Sequence, residues 1–215
     1  MEDKLKSQRF FNWQNSQTPK RSMAGKMAFN FRKTEIEGLL IIEPHIYEDF
    51  RGVYKKFYEK EIFRDNGITD EFCEGSDLYS KKGALRGLHY QEGESQSKLI
   101  RVISGTLFDV AVDLRVDSPT FGKYHAELLS FDDMKTLYIP KGFAHGFIAL
   151  EDNTIFSYNC AGKYEPSMCN GILWNDDYLN IKWPLKEYGV NEVITTDRDR
   201  AWQTFKEYEK NLGSC

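Results

Sequence analysis

The chain has 215 residues, of which 40% are hydrophobic and 29% are charged, and its formal net charge is −4 at pH 7. This composition is typical of a globular protein, and the length favours one domain with short appendages. The acidic balance argues against a broad surface for nucleic acid or anionic membranes. No apolar stretch approaches the roughly 20 residues that cross a bilayer, and no segment resembles a signal peptide. We therefore expect a cytoplasmic protein with reduced cysteines.

Residues 1–26 carry six basic and two acidic side chains and show no hydrophobic periodicity. They end just before a second methionine, Met27. This pattern predicts a flexible N-terminal extension, or a leader left over from cloning, over residues 1–26. Residues 27–215 are predicted to form a single domain.

From Phe31 to about Trp183 the sequence consists of short β-rich runs separated by turn residues. The clearest run, Leu99–Arg115, is interrupted at Ser104-Gly105, which predicts a hairpin with a two-residue loop. In that register Ile100 would pair with Asp109. Strand alternation places Lys98, Ile100 and Val102 on one face together with Leu107, Asp109, Ala111 and Asp113.

A second hairpin is predicted from Gly142 to about Asn159, with its turn at residues 151–153. Alternation places His145 with Phe147 on one face of its first strand, and Phe156 with Tyr158 on one face of its second.

Near the end of the chain, the spacing of Trp202, Phe205, Tyr208 and Leu212 predicts one helix over Asp197–Leu212, packed on the sheet. Many short strands followed by one helix indicate an antiparallel sandwich or barrel.

The histidines are the first candidates for chemistry, and there are only four: His45, His89, His125 and His145. The segment PKGFAHG at 140–146 resembles the second metal motif of cupin barrels, but His89 is followed by Tyr-Gln and not by a second histidine in an H-x-H motif. Two histidines fall short of the three ligands that a catalytic metal normally has. The sequence therefore predicts a barrel whose chemistry is carried by side chains, with no metal.

Other reaction classes lack their motifs, because the chain contains no nucleophile elbow, P-loop or GxGxxG. A histidine base, a carboxylate that orients it, a lysine facing an oxyanion and a tyrosine acid would suit proton abstraction next to a carbonyl.

Several collinear segments carry a family resemblance. They are EPHIYEDFRG at 43–52, LRGLHYQ at 85–91, SKLIRVISGTLFDVAVDLR at 97–115, SPTFG at 118–122, IPKGFAHGF at 139–147 and ILWNDDYLNIKWP at 172–184. Together they resemble the dTDP-4-dehydrorhamnose 3,5-epimerases over roughly residues 30–200. The resemblance implies a mainly β, cupin-type antiparallel jelly-roll barrel with a short C-terminal helical segment.

The same resemblance implies a cofactor-free enzyme, usually a homodimer that exchanges strands between its subunits. Its substrate would be a nucleotide-linked 4-keto-6-deoxyhexose, epimerised at C3 and C5 through an enolate. By position, His89 matches the general base, Asp199 its partner carboxylate, Tyr158 the proton donor and Lys98 the lysine that stabilises the enolate. Matching substrate-binding positions are Arg51 and Arg86 for the diphosphate, with His145 and Tyr164 in the pocket.

The chain departs from the family at several of these pocket positions. Lys56 and Cys169 stand where members often have glutamate, Glu74 where they have glutamine, Ser76 where they have asparagine, and Arg198 where they have lysine. Two interpretations of these departures stay open: a conserved proton chemistry on a nucleotide or sugar that differs from the usual one, or neutral drift at the pocket rim. The sequence also leaves open a 3-only or 5-only epimerase and a non-catalytic sugar-binding cupin.

Overall fold

The structure is a computed structural model that describes residues 29–93 and 96–212. The predicted extension over residues 1–26 lies outside the described residues. Among the helices of the described part, none is long and apolar enough to cross a membrane.

The chain is built mainly from strands. In chain order the elements are β1 (Phe29–Lys33), β2 (Leu40–Pro44), β3 (Ile46–Asp49), β4 (Gly52–Lys55), α1 (Lys60–Asp65), β5 (Phe72–Ser80), β6 (Leu85–Gln91), β7 (Ser97–Ser104), β8 (Thr106–Asp113), β9 (Tyr124–Ser130), β10 (Thr136–Ile139), β11 (Phe143–Ala149), β12 (Thr154–Ala161), a 3₁₀ turn (Pro166–Met168), β13 (Cys169–Gly171), α2 (Asp197–Arg200) and α3 (Phe205–Leu212).

Two antiparallel sheets face each other. Over the described ranges, sheet I has the order β1-β2-β10-β7-β12-β5 and sheet II has the order β13-β6-β11-β8-β9. Their inner faces meet in an apolar core to which Ile100 and Phe156 contribute from sheet I, and Ala111 and Phe147 from sheet II. The predicted mainly β jelly-roll class is confirmed.

The outer faces of both sheets are also covered. The segment after β13 and helix α3 bury Ile172, Leu179 and Phe205 against the outer face of sheet II. On sheet I, Phe63 of α1 packs among Phe29, Leu99 and other outer-face side chains. Sheets covered on both sides leave the space between them as the natural place for an internal site.

The two predicted hairpins are wrong in their pairing. Strand β7 pairs with β10 and β12 in sheet I, whereas β8 pairs with β11 and β9 in sheet II. The Ser104-Gly105 turn therefore crosses from one sheet to the other. The turn at residues 151–153 does the same, since β11 lies in sheet II and β12 in sheet I.

The predicted faces are nevertheless correct, because alternation is a local property of each strand. Ile100 and Val102 of β7 point into the core from one side, and Leu107 and Ala111 of β8 point into it from the other. Ile100 and Asp109 share this interior without being cross-strand partners.

The single helix predicted over Asp197–Leu212 is also wrong, because the helix is divided into α2 and α3. Thr204 starts the second helix with a reciprocal capping box. Its hydroxyl accepts from the Glu207 N–H at 3.2 Å, and the Glu207 carboxylate accepts from the Thr204 N–H at 2.7 Å. The predicted packing is observed, since Phe205 is fully buried against sheet II.

A buried aspartate ties the end of β8 to the loop that follows. The Asp113 carboxylate accepts from Arg115 Nε, Ser118 Oγ and Thr120 Oγ1 at 2.6–2.8 Å. Burial raises the pKa of Asp113, but these hydrogen bonds outweigh it and lower the pKa to about 2.

The hairpin formed by β3 and β4 forms a sheet of its own and presents aromatic side chains to solvent. Phe50 at its tip is 91% exposed and Tyr54 is 60% exposed. Large apolar side chains this exposed on one element are typical of a surface that another molecule covers.

Candidate active site

Two facing glycines orient the strand that carries His89. The pairing of β6 with β11 matches His89 to His145 and Arg86 to Phe147, so three steps on β6 oppose two on β11. Because His145 and Phe147 point inward, their partners His89 and Arg86 also point inward.

The register shift between β6 and β11 depends on close contact of their backbones. A Cβ on Gly87 would lie 2.4 Å from the Cα of Gly146, and Gly87 has φ +130°. A Cβ on Gly146 would lie 3.0 Å from the Arg86 carbonyl oxygen. Only residues without a side chain fit at this crossing.

His89 forms a dyad with Asp199. Its Nε2 lies 2.7 Å from Asp199 Oδ1, and the carboxylate side chain is only 3% exposed. The Asp199 N–H is capped by Thr196 at 3.2 Å, which fixes the residue in the first turn of α2. Backbone bridges at Ile194 and Gln203 hold the chain on both sides of this turn. The acid is thus anchored by the backbone as well as by the histidine.

The electrostatics of the dyad keep the imidazole neutral and the carboxylate charged at neutral pH. Burial lowers the pKa of His89, with smaller contributions in the same direction from Arg198 and His145, and the charge of Asp199 offsets only part of this effect. Burial raises the pKa of Asp199, but hydrogen bonds from His89 and Trp202 bring it below its ordinary value. Since Nε2 donates to the carboxylate, Nδ1 of His89 is the nitrogen with a free lone pair.

A second buried pair lies beside the first. His145 Nε2 is 3.0 Å from both carboxylate oxygens of Asp109, which is fully buried. Asp109 also acts electrostatically on Lys98. Burial lowers the pKa of Lys98, and the nearby carboxylates of Asp109 and Glu74 offset only part of this effect. Lys98 makes no hydrogen bond or ion pair with any residue that the structure describes. Its ammonium is therefore available to a ligand.

Tyr158 lies on the opposite sheet from His89. It pairs with Ser76 across β5 and with Ile100 across β7, and its ring packs against the core between the sheets. Burial raises the pKa of Tyr158, as does the charge of Glu74, while a hydrogen bond to Ser76 and the charge of Arg86 lower it. The net shift is upward, so the phenol keeps its proton at neutral pH.

The rim of this interior is formed by three further predicted residues. The pKa of Tyr164 is raised mainly by the nearby Cys169, while the charge of Arg198 lowers it. Arg198 stands over the Trp202 ring, 5.3 Å from its centroid. These side chains link the interior to the loop between β12 and β13.

Two predicted binding residues lie elsewhere on the chain. Arg51 is on the β3–β4 hairpin, where its side chain is 76% exposed and pairs with Asp49 at 2.6 Å. Lys56 follows the same hairpin and pairs with Glu59 at 2.5 Å. Neither makes a contact with the His89, Lys98 or Tyr158 side chain.

Sequence reasoning missed one neighbour of the dyad. Trp202 donates its indole N–H to Asp199 Oδ1 at 3.1 Å and lies edge-on to His89, with ring centroids 6.0 Å apart. The signal is present as an Asp-x-x-Trp spacing within DRDRAW, but the helical spacing of the aromatic residues places Trp202 on an apolar stripe instead.

In the described ranges, no cluster of three or more histidine, cysteine or acidic side chains is placed to hold a metal ion. The described cysteines, Cys73, Cys160 and Cys169, are free thiols. That the reaction needs no metal stays a prediction.

The fold and the dyad define a cupin-type jelly roll with an acid–base pair between its sheets. The family model for dTDP-4-dehydrorhamnose 3,5-epimerase matches residues 33–207. A relative with that name from Methanothermobacter thermautotrophicus is 42% identical over 179 residues, which cover 83% of this chain and 96% of the relative. The chain therefore belongs to the dTDP-4-dehydrorhamnose 3,5-epimerase family of isomerases.

Solved structures agree with this assignment. A dTDP-6-deoxy-D-glucose-3,5-epimerase from Legionella pneumophila, in complex with dTDP-4-keto-L-rhamnose, is similar with a TM-score of 0.80 and 39% identity, covering 86% of this chain and 96% of that one. A 3′-monoepimerase from Streptomyces bikiniensis, in complex with dTDP-quinovose, is similar with a TM-score of 0.76 and 31% identity, covering 84% of this chain and 89% of that one.

Proposed function

We propose that this protein epimerises dTDP-4-dehydro-6-deoxy-D-glucose at C3 and C5, giving dTDP-4-dehydro-L-rhamnose without a cofactor. The names of its relatives support the substrate class. The observation that carries the chemistry is the His89–Asp199 dyad on one sheet with a protonated Tyr158 on the facing sheet. An acid and a base on opposite sides of a bound sugar are what inversion of a carbon centre requires.

His89 is the proposed base. Its Nδ1 takes the proton from a carbon next to the 4-keto group, and the electron pair of that C–H bond moves into the enolate. The resulting imidazolium is stabilised by Asp199, which faces Nε2 at 2.7 Å. A neutral imidazole at neutral pH, favoured by the lowered pKa of His89, keeps the base ready to accept.

Lys98 is proposed to stabilise the enolate oxygen. A half-buried ammonium without a protein partner is well suited to charge that develops only during the reaction. Tyr158 then returns a proton to the opposite face of the carbon as the enolate reverts to the ketone. The imidazolium of His89 gives its proton to solvent, and solvent reprotonates the tyrosine. The raised pKa of Tyr158 keeps the phenol in the donor form until then.

The diphosphate is proposed to bind the inward-facing Arg86 together with Arg51, since guanidinium groups form paired hydrogen bonds with phosphate oxygens. Arg51 lies on a projecting hairpin and makes no contact with this interior within one chain. Its position fits the homodimer with exchanged strands that the family resemblance implies, in which the exposed Phe50 and Tyr54 would be covered. Light scattering that gives a monomer mass at assay concentration would contradict the dimer.

Epimerisation at C3 alone is the second candidate, because a 3′-monoepimerase is among the similar structures. The pocket departures at Glu74 and Cys169 also leave the nucleotide open, since both differ from the residues that family members often have at these positions. A different candidate class, the non-catalytic sugar-binding cupin, gives no role to the oriented acid and base.

One experiment separates these candidates. The 4-keto sugar nucleotide is made fresh, mixed with the protein in D₂O and followed by proton NMR. Loss of the C3 and C5 proton signals with formation of the L-rhamno product supports the proposal. Loss of the C3 proton signal alone indicates a monoepimerase. Binding without exchange would identify a sugar-binding protein.

Controls make the result specific. His89→Gln is expected to abolish exchange at both carbons, whereas His125→Gln is expected to leave it intact, because His125 lies on β9, three strands from β6 in sheet II, and pairs there with Glu35 and Glu127. A repeat with chelator tests the metal prediction. Calorimetry with dTDP, GDP and CDP tests which nucleotide the protein binds, and no preference for dTDP would contradict the nucleotide assignment.

A further inference from the structure

The indole of Trp202 contacts every part of the proposed dyad, although nothing in the comparisons or the family motifs assigns it a role. Its N–H donates to Asp199 Oδ1 at 3.1 Å, the same oxygen that lies 2.7 Å from His89 Nε2. The edge of its ring system meets the His89 ring at an interplanar angle of 76°. One side chain thus touches both the acid and the base.

The surroundings of Trp202 hold the indole in place. The guanidinium of Arg198 covers one side of the ring at 5.3 Å. On another side, Gly171 of β13 approaches so closely that a Cβ there would lie 2.6 Å from three ring atoms. Gly171 pairs with His89 across β13 and β6, so the indole fills the space directly behind the base.

We propose that Trp202 is a positioning residue that sets the orientation and the basicity of His89 through Asp199. Two N–H donors on a single carboxylate oxygen fix the plane of that carboxylate and so the direction in which His89 Nδ1 points. The indole N–H also shares the negative charge of Asp199 and thereby limits how strongly the carboxylate stabilises the imidazolium. This inference rests on the proposed function for its catalytic consequence, but not for its effect on His89.

The sign of the effect follows from the groups that face His89. Asp199 and Arg198 face it from α2, Trp202 from the segment after α2, and His145 from β11. Without the indole N–H, more of the Asp199 charge acts on the imidazolium. Burial lowers the pKa of His89 in the intact protein. Without the indole ring, water reaches the histidine and this lowering becomes smaller. Both changes raise the pKa of His89.

The test uses Trp202→Phe, which keeps an aromatic ring and removes the N–H. Nitrogen-15 NMR of the imidazole signals, with His89 identified through His89→Gln, is expected to show a rise in the His89 pKa of about half a unit, the size expected for loss of one hydrogen bond to a charged group that others partly replace. The acid limb of the pH profile of kcat/KM for the epimerisation moves to higher pH by the same amount. We also expect kcat to fall about tenfold, with KM changing less than twofold, because misplacement of a catalytic group affects the reaction more than binding.

A second variant protects the test against misfolding. Gly171→Ala retains the indole but displaces its ring, and is expected to raise the His89 pKa in the same direction. The matched control is Trp183→Phe, which removes an indole N–H that donates to the Trp174 carbonyl at 2.8 Å, away from the dyad. It is expected to leave the His89 pKa and the acid limb unchanged.

The outcomes are separable from those of the function assay. An unchanged or lowered His89 pKa in folded Trp202→Phe and Gly171→Ala overturns the inference, whatever the activity. A rise of equal size in Trp183→Phe overturns it as well. If the pKa rises only in the two dyad-neighbour variants while the wild-type protein exchanges no substrate protons, the inference holds and the proposed function fails.

Discussion

Replacement of Asp199 by asparagine is the sharpest perturbation of the proposed base. Asparagine keeps the size of the side chain and an oxygen that can accept from His89 Nε2, but it removes the negative charge. A hydrogen bond to a charged group contributes about 1.5–3 kcal/mol, which corresponds to about 1–2 units of pKa. Because the His89 side chain is 36% exposed, we take the lower end and expect its pKa to fall by about 1 unit.

The catalytic effect should be larger than this shift. A positioned general base contributes about 10²–10⁴-fold to the rate. Asp199→Asn lowers the basicity of His89 and also loosens the orientation of its ring. We therefore expect kcat to fall by at least about 10²-fold while KM stays nearly constant, since a carboxylate that is 3% exposed does not reach a ligand. The acid limb of kcat/KM should move to lower pH, opposite to the shift expected for Trp202→Phe.

The assay is deuterium incorporation at C3 and C5, measured as initial rates between pH 5 and pH 9. Asp197→Asn is the matched control, because Asp197 lies two residues earlier in the same helix, is exposed and has no contact with His89. A kcat for Asp199→Asn within about threefold of wild type would refute the dyad. A large loss in Asp197→Asn alone would show that the wrong acid was chosen.

Three further outcomes are expected. Tyr158→Phe should keep solvent exchange at the carbons but slow product formation, so that the two rates measured by NMR separate; equal small losses in both would contradict its role as the acid. Glu74→Gln should lower KM about threefold at low salt and have less effect at high salt, because the Glu74 carboxylate acts on Tyr158 together with Arg86, the proposed diphosphate ligand, and so opposes binding of an anion there. Asp113→Asn should reduce the free energy of unfolding in urea by about 2 kcal/mol at pH 7, since the carboxylate pKa of about 2 lies below its ordinary 3.8. That contribution is present above about pH 4 and is lost as the pH falls towards 2, so the difference between variant and wild type should shrink in that range; a constant difference would show that Asp113 acts only through its shape.

What could be predicted from the sequence was local. Alternation along single strands placed Ile100, Asp109 and Phe156 on the correct faces, because a period of two needs no knowledge of neighbours. The partners of these strands were wrong, since turns of similar sequence can either fold a strand back onto its neighbour or carry it to the other sheet. Which of these occurs depends on the packing of distant strands.

The division of the C-terminal helix could have been predicted. Thr204-x-x-Glu207 is a capping-box pattern, and it lies inside the helix that the aromatic spacing suggests. Here the local capping signal decides where the helix begins, and hydrophobic periodicity alone does not.

The candidate site shows the same division between local and distant information. The family resemblance predicted His89, Lys98, Tyr158 and Asp199 as one site, and the structure shows the hydrogen bond between His89 and Asp199. The Asp109–His145 pair and the indole behind the dyad depend on contacts across strands and across the C-terminal segment. Such contacts have no fixed spacing in the sequence.

The crossing of Gly87 and Gly146 has a consequence for anyone who tries to redesign this pocket. The direction of His89 and Arg86 is set by two positions that have no functional groups, so a mutagenesis library confined to polar lining residues would leave the controlling geometry untouched. Grafting the reactive side chains onto another barrel would fail for the same reason unless the glycine pair went with them.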